Sequence, residues 1–284
     1  MAGYADGVPC WADAMLPDLE AGKRFYGELF GWTFQDGDEK FGYYTQAFAA
    51  DGKNVAALAP KPDGRMPTVW NLYLAAADAQ ATARRIVEAG GQLVMDPMAV
   101  ADFGTMLMAA DPGGAVFGAW QSGTHKGFEK TGEPGSYAWA EIFTREAESV
   151  DRFYETVFGY DSARVEGGEG GEGGEAGESG EGDASDESRA SGEGFDYAVY
   201  APEGRKATPD SAVMGRYVMG PDLPAELPAH FNVYFAVENA DRAAETIRRL
   251  GGRVTRGPED SPYGRWAAVA DDQGANFSII QELG

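Results

Sequence analysis

Residues 10–32 read CWADAMLPDLEAGKRFYGELFGW, and residues 138–160 repeat that pattern as AWAEIFTREAESVDRFYETVFGY. At a fixed offset of 128 residues, Trp11 coincides with Trp139 and Asp13 with Glu141, and both copies end on Phe-Gly followed by an aromatic residue. Each copy opens with the alternating pattern of a strand and continues with apolar residues at helical spacing. The chain therefore contains a duplicated unit that begins with a strand and a helix.

A second repeat lies downstream of each copy. Residues 69–91 match residues 230–252 at an offset of 161, so that Asn71 coincides with Asn232 and Tyr73 with Tyr234. Here too a strand pattern leads into a helix pattern, which stops at a Gly-Gly pair, and short strands separated by turn residues follow. The sequence predicts an α+β fold of four βαβββ units, which form two tandem domains with curved mixed sheets and outer helices.

The order of these motifs resembles the vicinal oxygen chelate superfamily, which includes glyoxalases, bleomycin-resistance proteins and extradiol dioxygenases. The resemblance rests on the D-x-x-x-x-x-x-F-Y-x-x-x-F-G-W pattern that begins at Asp18, on the Gly-Gly helix ends and on the D-P-x-G motif at residues 111–114. It is greatest to two-domain actinobacterial members. The family fold implies that each pair of units closes a cup over a ligand site. We expect one glyoxalase-like domain at 1–122, a linker at 123–134 and a second domain at 135–284.

The composition restricts the class of protein. The 284 residues carry a formal net charge of -23, which disfavours binding to nucleic acid. No run approaches the roughly 18 apolar residues of a membrane helix, and no signal peptide is evident. The single cysteine, Cys10, excludes an internal disulfide. These features lead us to expect a cytoplasmic protein. We also expect a monomer, because two fused domains satisfy internally the pairing that single-domain members reach by dimerising.

Much of the negative charge lies in an insertion at residues 166–194. This stretch holds eight Glu, eleven Gly and no apolar side chain larger than Ala. Burial of such residues cannot offset their chain entropy, so a disordered acidic loop is expected. Its role is open between a tolerated loop expansion and an acidic arm for a cationic partner. In the linker, His125 is expected to be solvated.

The resemblance also implies where a metal would bind. Metal-dependent members place His, His and Glu or Gln on strands that face the cup. These positions fall on Trp11, Asn71 and Gly118 in the first domain and on Trp139, Asn232 and Ser278 in the second. An indole nitrogen has no lone pair to offer, an amide is a weak ligand and glycine has no side chain. We therefore predict loss of the metal and no cofactor, the open alternative being a relocated metal on Asp13, Glu141 or His230.

Strand alternation selects the side chains that share a face with these positions. The expected cup-lining residues are Trp11, Asp13, Asn71, Tyr73, Trp120, Trp139, Glu141, His230, Asn232 and Tyr234. Gly118 is expected to leave room beside them. Aromatic rings with a few polar groups suit a planar ligand, and an acid beside tryptophan suits a cationic amine. The same aromatic residues also suit an ordinary core, whereas the inward acids require either an ion pair, for example with arginine, or a solvent-reachable pocket.

Two functional hypotheses remain open. The first is a metal-free binding protein that sequesters a planar aromatic natural product, cationic or neutral. Its purpose would be antibiotic self-resistance or assistance to a biosynthetic enzyme, which would then be a partner. The second is a metal-independent isomerase, lyase or hydroxylase component that uses Asp13 or Glu141 as a general base. The glyoxalase reaction itself is disfavoured, because it uses a metal as Lewis acid.

Overall fold

The computed structural model describes residues 3–165, 196–221 and 223–282. The insertion predicted at residues 166–194 lies outside these described residues. Within the described ranges, no helix is long and apolar enough to span a membrane. Each half of the chain forms one eight-stranded mixed sheet with two α-helices, which confirms the predicted arrangement of four βαβββ units.

The two halves contain equivalent elements in the same order. The first half consists of β1 (Pro9–Leu16), α1 (Leu19–Phe30), β2 (Thr33–Gln35), β3 (Thr45–Phe48), β4 (Asn54–Pro60), β5 (Trp70–Ala75), α2 (Ala79–Glu88), β6 (Gln92–Val100), β7 (Gly104–Ala110) and β8 (Val116–Ser122), with a short 3-10 helix at Glu39–Phe41. The second half consists of β9 (Tyr137–Thr144), α3 (Ala147–Phe158), β10 (Asp161–Arg164), β11 (Tyr197–Ala201), β12 (Met214–Val218), β13 (His230–Ala236), α4 (Ala240–Arg249), β14 (Arg253–Ser261), β15 (Gly264–Ala270) and β16 (Asn276–Glu282).

Local sequence sets the ends of the helices. Asp18 begins α1 by accepting a hydrogen bond from the Ala21 amide at 3.0 Å, which satisfies one of the free N–H groups of the first turn. The same helix ends at Gly31, whose φ of 71° is a left-handed conformation that favours glycine. Gly159 ends α3 in the same way, with φ 68°. The Phe-Gly motif of each repeat is therefore a helix stop.

The strands of each sheet come from one half only. The orders are β2-β3-β4-β1-β5-β8-β7-β6 and β10-β11-β12-β9-β13-β16-β15-β14. The central antiparallel pairs, β1 with β5 and β9 with β13, place Asp13 opposite Asn71 and Glu141 opposite Asn232. Each acid and its equivalent amide thus meet at the centre of their own sheet, without exchange of strands between halves.

The helices form part of the contact between the halves. Helix α1 packs on α4, and α2 packs on α3. The Tyr26 hydroxyl donates to Asp271 Oδ2 at 2.9 Å, and the Tyr154 hydroxyl donates to Asp111 Oδ2 at 3.3 Å. A hydrogen bond to a charged group stabilises by about 1.5–3 kcal/mol. The Phe-Tyr motif of each half therefore joins it to the opposite half.

The two sheets lie back to back across this contact. The rings of Trp70 and Phe235, on strands β5 and β13, have centroids 4.8 Å apart. Because neighbouring side chains of a strand point to opposite faces, Tyr73 and Tyr234 lie on the faces directed away from the other half. The candidate cup residues are therefore separated from the interface by the thickness of a sheet.

Candidate functional site

The outward face of each sheet carries the predicted cup residues. We call these surfaces the first cup, which contains Trp11, Asp13, Asn71, Tyr73 and Trp120, and the second cup, which contains Trp139, Glu141, His230, Asn232 and Tyr234. The strand register places Tyr73 beside Trp11 and Gly118, and it places Tyr234 beside Trp139 and Ser278. The two cups therefore present equivalent positions, and their side chains can be compared one by one.

The acid of the first cup accepts hydrogen bonds from three neighbouring side chains. Asp13 is only 2% exposed. Its Oδ2 accepts from the Tyr44 hydroxyl at 3.0 Å, its Oδ1 accepts from the Asn71 amide at 2.9 Å, and Tyr73 hydrogen-bonds the same carboxylate. Burial raises the pKa of Asp13, and these hydrogen bonds partly oppose the rise. The prediction that Asp13 has either an ion-pair partner such as arginine or a solvent-reachable pocket is therefore wrong. Neutral hydroxyl and amide groups satisfy its carboxylate instead.

The segment that follows β8 covers the first cup. The ring of His125 packs edge-on against Trp11 with centroids 4.4 Å apart, and the Trp120 indole donates to the His125 carbonyl at 3.0 Å. The Phe128 amide donates to the Cys10 carbonyl at 2.8 Å, which fixes the segment to β1. The expectation of a solvated His125 is therefore wrong. Burial lowers the pKa of His125 to about 4, so that the ring is neutral at neutral pH.

Gly118 does not leave room in the first cup. A Cβ atom at Gly118 would collide with the ring of Tyr73, which lies directly over the glycine. Trp11, Tyr73 and Trp120 are all buried. The expected space is thus filled by a neighbouring side chain, because tyrosine can lie flat on a strand only where that strand has no side chain of its own. The first cup is a packed core in this structure.

A polar cavity of about 510 Å³ lies next to the covering segment. Its lining includes Tyr4, Asn54, His125, Lys126 and Lys130. Lys130 is paired with Asp51 at 3.2 Å and with Glu133 at 3.1 Å. The covering segment lines this cavity, and its residues His125 and Phe128 also pack against Trp11. None of the five first-cup side chains is part of the lining.

The acid of the second cup is held by two tyrosines. Glu141 Oε1 accepts from the Tyr197 hydroxyl at 2.7 Å, and Oε2 accepts from the Tyr234 hydroxyl at 2.6 Å. The Trp139 indole donates to the Tyr197 hydroxyl at 3.2 Å. Burial raises the pKa of Glu141, and the two phenol hydrogen bonds partly oppose the rise. Glu141 is nonetheless half-buried, unlike Asp13.

The amide of the second cup has a different partner. Asn232 Nδ2 lies 2.9 Å from Ser278 Oγ, whereas the equivalent Asn71 donates to its acid. Ser278 stands where the first half has Gly118, and it also hydrogen-bonds Tyr234. The serine hydroxyl therefore links the amide to the tyrosine and, through it, to the acid.

Aromatic surface remains partly exposed in the second cup. Trp139, Trp266 and Glu141 are all half-buried. The rings of Tyr234 and Trp266 have centroids 6.4 Å apart, and the guanidinium carbon of Arg256 lies 5.2 Å from the Trp266 ring. This combination of accessible ring faces and a carboxylate can hold a flat molecule by stacking and orient it by a polar contact.

His230 lies at the rim and is not joined to the acid. Its Nδ1 is 2.9 Å from the Pro228 carbonyl oxygen, and its ring stacks on Phe143 with centroids 5.1 Å apart. Burial lowers its pKa. The structure thus gives His230 a packing position at the start of β13.

Sequence reasoning missed two tyrosines at the centre of these sites, Tyr44 and Tyr197. They are equivalent, since each accepts from the strand-one tryptophan and donates to the strand-one acid. Their offset is 153 residues, against 128 for the preceding repeat, because the insertion intervenes. A search for an aromatic residue at the start of the third strand in each half would have found both, whereas a fixed offset could not. Trp266 on β15 was also missed.

The residues present do not fit the metal of metal-dependent members. At the positions that the resemblance implies, Trp11 and Trp139 use their indole N–H groups as hydrogen-bond donors, and Gly118 is covered by a tyrosine. In the part of the chain that the structure describes, no group of three or more His, Cys, Asp or Glu side chains lies close enough to hold a metal ion. The relocated site on Asp13, Glu141 or His230 therefore lacks a donor set.

Comparison with known proteins identifies what the chain resembles. The model of the Glyoxalase/Bleomycin resistance protein/Dioxygenase superfamily matches residues 11–118 and 136–279. A Mycobacterium tuberculosis protein named "Putative glyoxylase CFP32" is 35% identical, over 98% of this chain and 96% of its own length. Anthracycline biosynthesis protein DnrV of Streptomyces peucetius is 33% identical, over 99% of this chain and 95% of its own. The Mn(II)-bound glyoxalase of Novosphingobium aromaticivorans shares the fold, with a TM-score of 0.61 and 14% identity over 99% of this chain and 84% of that chain.

Proposed function

The chain belongs to the glyoxalase/bleomycin resistance protein/dioxygenase superfamily, and on that premise we propose that it is a binding protein whose second cup holds a planar aromatic small molecule. The observation that carries the proposal is the difference in exposure between the cups. Trp139, Trp266 and Glu141 are half-buried and reachable, whereas Trp11 and Asp13 are sealed. Accessible ring faces next to one fixed polar group are what a planar, partly polar ligand requires.

The names of two relatives suggest the class of ligand. DnrV and DauV are both named as anthracycline biosynthesis proteins, and each is 33% identical to this chain. Anthracyclines are planar fused-ring molecules, which match the stacking surface of the second cup. We propose a ligand of this class, bound without chemical change either to protect the producing cell or to assist a biosynthetic enzyme. Because the superfamily hosts several chemistries, this assignment rests on the site and not on the fold.

Titration of the full-length protein with an anthracycline tests the proposal. We expect one bound equivalent and quenching of tryptophan emission. Trp139→Ala removes one ring on which the ligand would stack and should weaken binding by up to about tenfold, since an aromatic pair contributes roughly 0.5–1.5 kcal/mol. Trp120→Phe, in the first cup, is the matched control and should leave the affinity unchanged.

Two results would count against binding of a planar aromatic molecule in the second cup. The first is the absence of binding to any planar aromatic compound. The second is binding that survives Trp139→Ala but is lost in Lys126→Ala, which would place the ligand in the polar cavity beside the covering segment.

A second candidate function is acid–base catalysis by Glu141. Burial raises the pKa of this half-buried carboxyl, which favours proton transfer nearer neutrality. Asp13, the other candidate base, is 2% exposed and lies behind Trp11 and Tyr44, so a substrate would not reach it. If the protein turns over its ligand, Glu141→Gln should abolish the reaction in a product assay by mass spectrometry. Unchanged turnover in that variant would exclude Glu141 as the base.

A further inference from the structure

The hydrogen bonds of the second cup run in one direction. An ionised carboxylate only accepts, so Tyr234 must donate its single hydroxyl proton to Glu141 Oε2, 2.6 Å away. With that proton used, Tyr234 can only accept from Ser278. Ser278 has then used its own proton and can only accept from Asn232, whose Nδ2 lies 2.9 Å away. The orientation of the Asn232 amide therefore follows from the charge on Glu141.

A second chain of hydrogen bonds ends at the same acid. The Trp139 indole can only donate, and it donates to the Tyr197 hydroxyl at 3.2 Å. Tyr197 in turn donates to Glu141 Oε1 at 2.7 Å. Both oxygens of Glu141 thus accept a hydrogen bond from the protein, and both chains end at the same obligatory acceptor.

The second cup therefore keeps unused hydrogen-bond acceptors. The hydroxyl protons of Tyr234 and Ser278 and one amide proton of Asn232 are used within the protein. A carboxylate has about four lone-pair sites, of which two are occupied in Glu141. The amide oxygen of Asn232 is a further acceptor, and the strand register places this residue directly opposite Glu141. A ligand that contacts both groups must bring its own donors.

We propose that the second cup selects ligands that present a primary ammonium group to Glu141 and to the amide oxygen of Asn232, and that Ser278 is the positioning residue that sets this preference. The inference rests on the proposed function and narrows its ligand class. An ammonium group has three donors and no acceptor, so it matches a surface of two neighbouring acceptors. The nearby cation Arg256 does not oppose it strongly, because Arg256 is paired with Glu259 at 2.8 Å.

The first cup provides the internal contrast. Gly118 replaces the serine there, and the Asn71 amide donates directly to Asp13. The amide of the first half is therefore used to satisfy a buried acid. Only the half that carries Ser278 directs its amide away from the acid and keeps the carboxylate available to a ligand.

A pair of ligands that differ only at the amine tests the proposal on the full-length protein. The probes are an anthracycline with a free amino sugar and its N-acetylated derivative, which keeps the ring system but loses the charge. We expect the amine to bind about 10- to 100-fold more tightly, the range of a charge-assisted hydrogen bond. Glu141→Gln should reduce that ratio to within about threefold, and Ser278→Ala should reduce it by about three- to tenfold. Asp13→Asn in the first cup is the matched control and should preserve the ratio.

The ratio of the two affinities is measured on the same protein sample, so partial unfolding of a variant affects both probes alike. Equal affinities for the two probes in the unaltered protein would overturn the ammonium preference and leave the binding function intact. Binding of neither probe would overturn both. An unchanged ratio in Ser278→Ala, with a reduced ratio in Glu141→Gln, would reject the role of Ser278.

Discussion

The first and second cups share one hydrogen-bond framework but differ in exposure. In both, a tryptophan on the first strand donates to a tyrosine, and the tyrosine donates to an acid. In the first cup the acid is Asp13, which is 2% exposed and is covered by the segment containing His125. In the second cup the acid is Glu141, which is half-buried beside the half-buried rings of Trp139 and Trp266.

The two copies differ in how their equivalent positions are filled. The first copy closes its cup with Tyr73 over Gly118 and uses the Asn71 amide to satisfy its own acid. The second copy has Ser278 in place of that glycine, and its amide bonds the serine. One residue position, Gly118 against Ser278, accounts for the different partner of the amide.

The largest contrast is expected from neutralising the two acids. Asp13→Asn replaces one acceptor by an NH2 group that faces the donors of Tyr44 or Asn71, so it should destabilise the protein by about 2–4 kcal/mol. Glu141→Gln should cost less, about 1 kcal/mol, because water can reach its unsatisfied groups. Chemical denaturation of the two variants at pH 7 measures the difference. A larger loss in Glu141→Gln would mean that the second cup, and not the first, is the structural one.

A smaller difference in stability and affinity is expected from adding a methyl group at the two glycines that lie against cup tyrosines. Gly118→Ala pushes on the ring of Tyr73, and Gly215→Ala pushes on the hydroxyl end of Tyr197. Each should destabilise by about 1–3 kcal/mol, the usual cost of overpacking. Only Gly215→Ala should also weaken ligand binding, because it displaces Tyr197 from Glu141. Denaturation and ligand titration on both variants test this, and an equal effect of the two on affinity would contradict the assignment of binding to the second cup.

The smallest effect concerns the cover of the first cup. The pKa of His125 is lowered to about 4, below its usual 6.5, so its neutral form stabilises the fold at pH values above 6.5. That contribution is lost as the pH falls from 6.5 towards 4. The stability difference between the unaltered protein and His125→Gln should therefore shrink by about 2 kcal/mol between pH 7 and pH 5. Urea unfolding at both pH values measures it. A constant difference would show that His125 does not titrate as a buried group.

Parts of both cups could be predicted because strand alternation is a local rule. Strand alternation predicts that Asp13, Asn71, Glu141 and Asn232 share the cup face, since a repeat that preserves strand phase preserves the face. The strand register places Asp13 opposite Asn71 and Glu141 opposite Asn232. The insertion before β11 changes the repeat offset, so Tyr197 and its equivalent were not found. These side chains reach the acids from strands that are distant in sequence, and no local sequence pattern predicts which distant residues come into contact.

The sequence by itself determined the duplication, the four βαβββ units and the choice of residues on each outward face, because periodicity and helix stops act over a few residues. Only the tertiary structure decided which cup is the more exposed. That outcome depends on whether a neighbouring ring fills the space over Gly118, on where the segment with His125 lies, and on whether an amide turns to Asp13 or to Ser278. Such choices follow from packing and hydrogen-bond satisfaction among residues brought together by the fold.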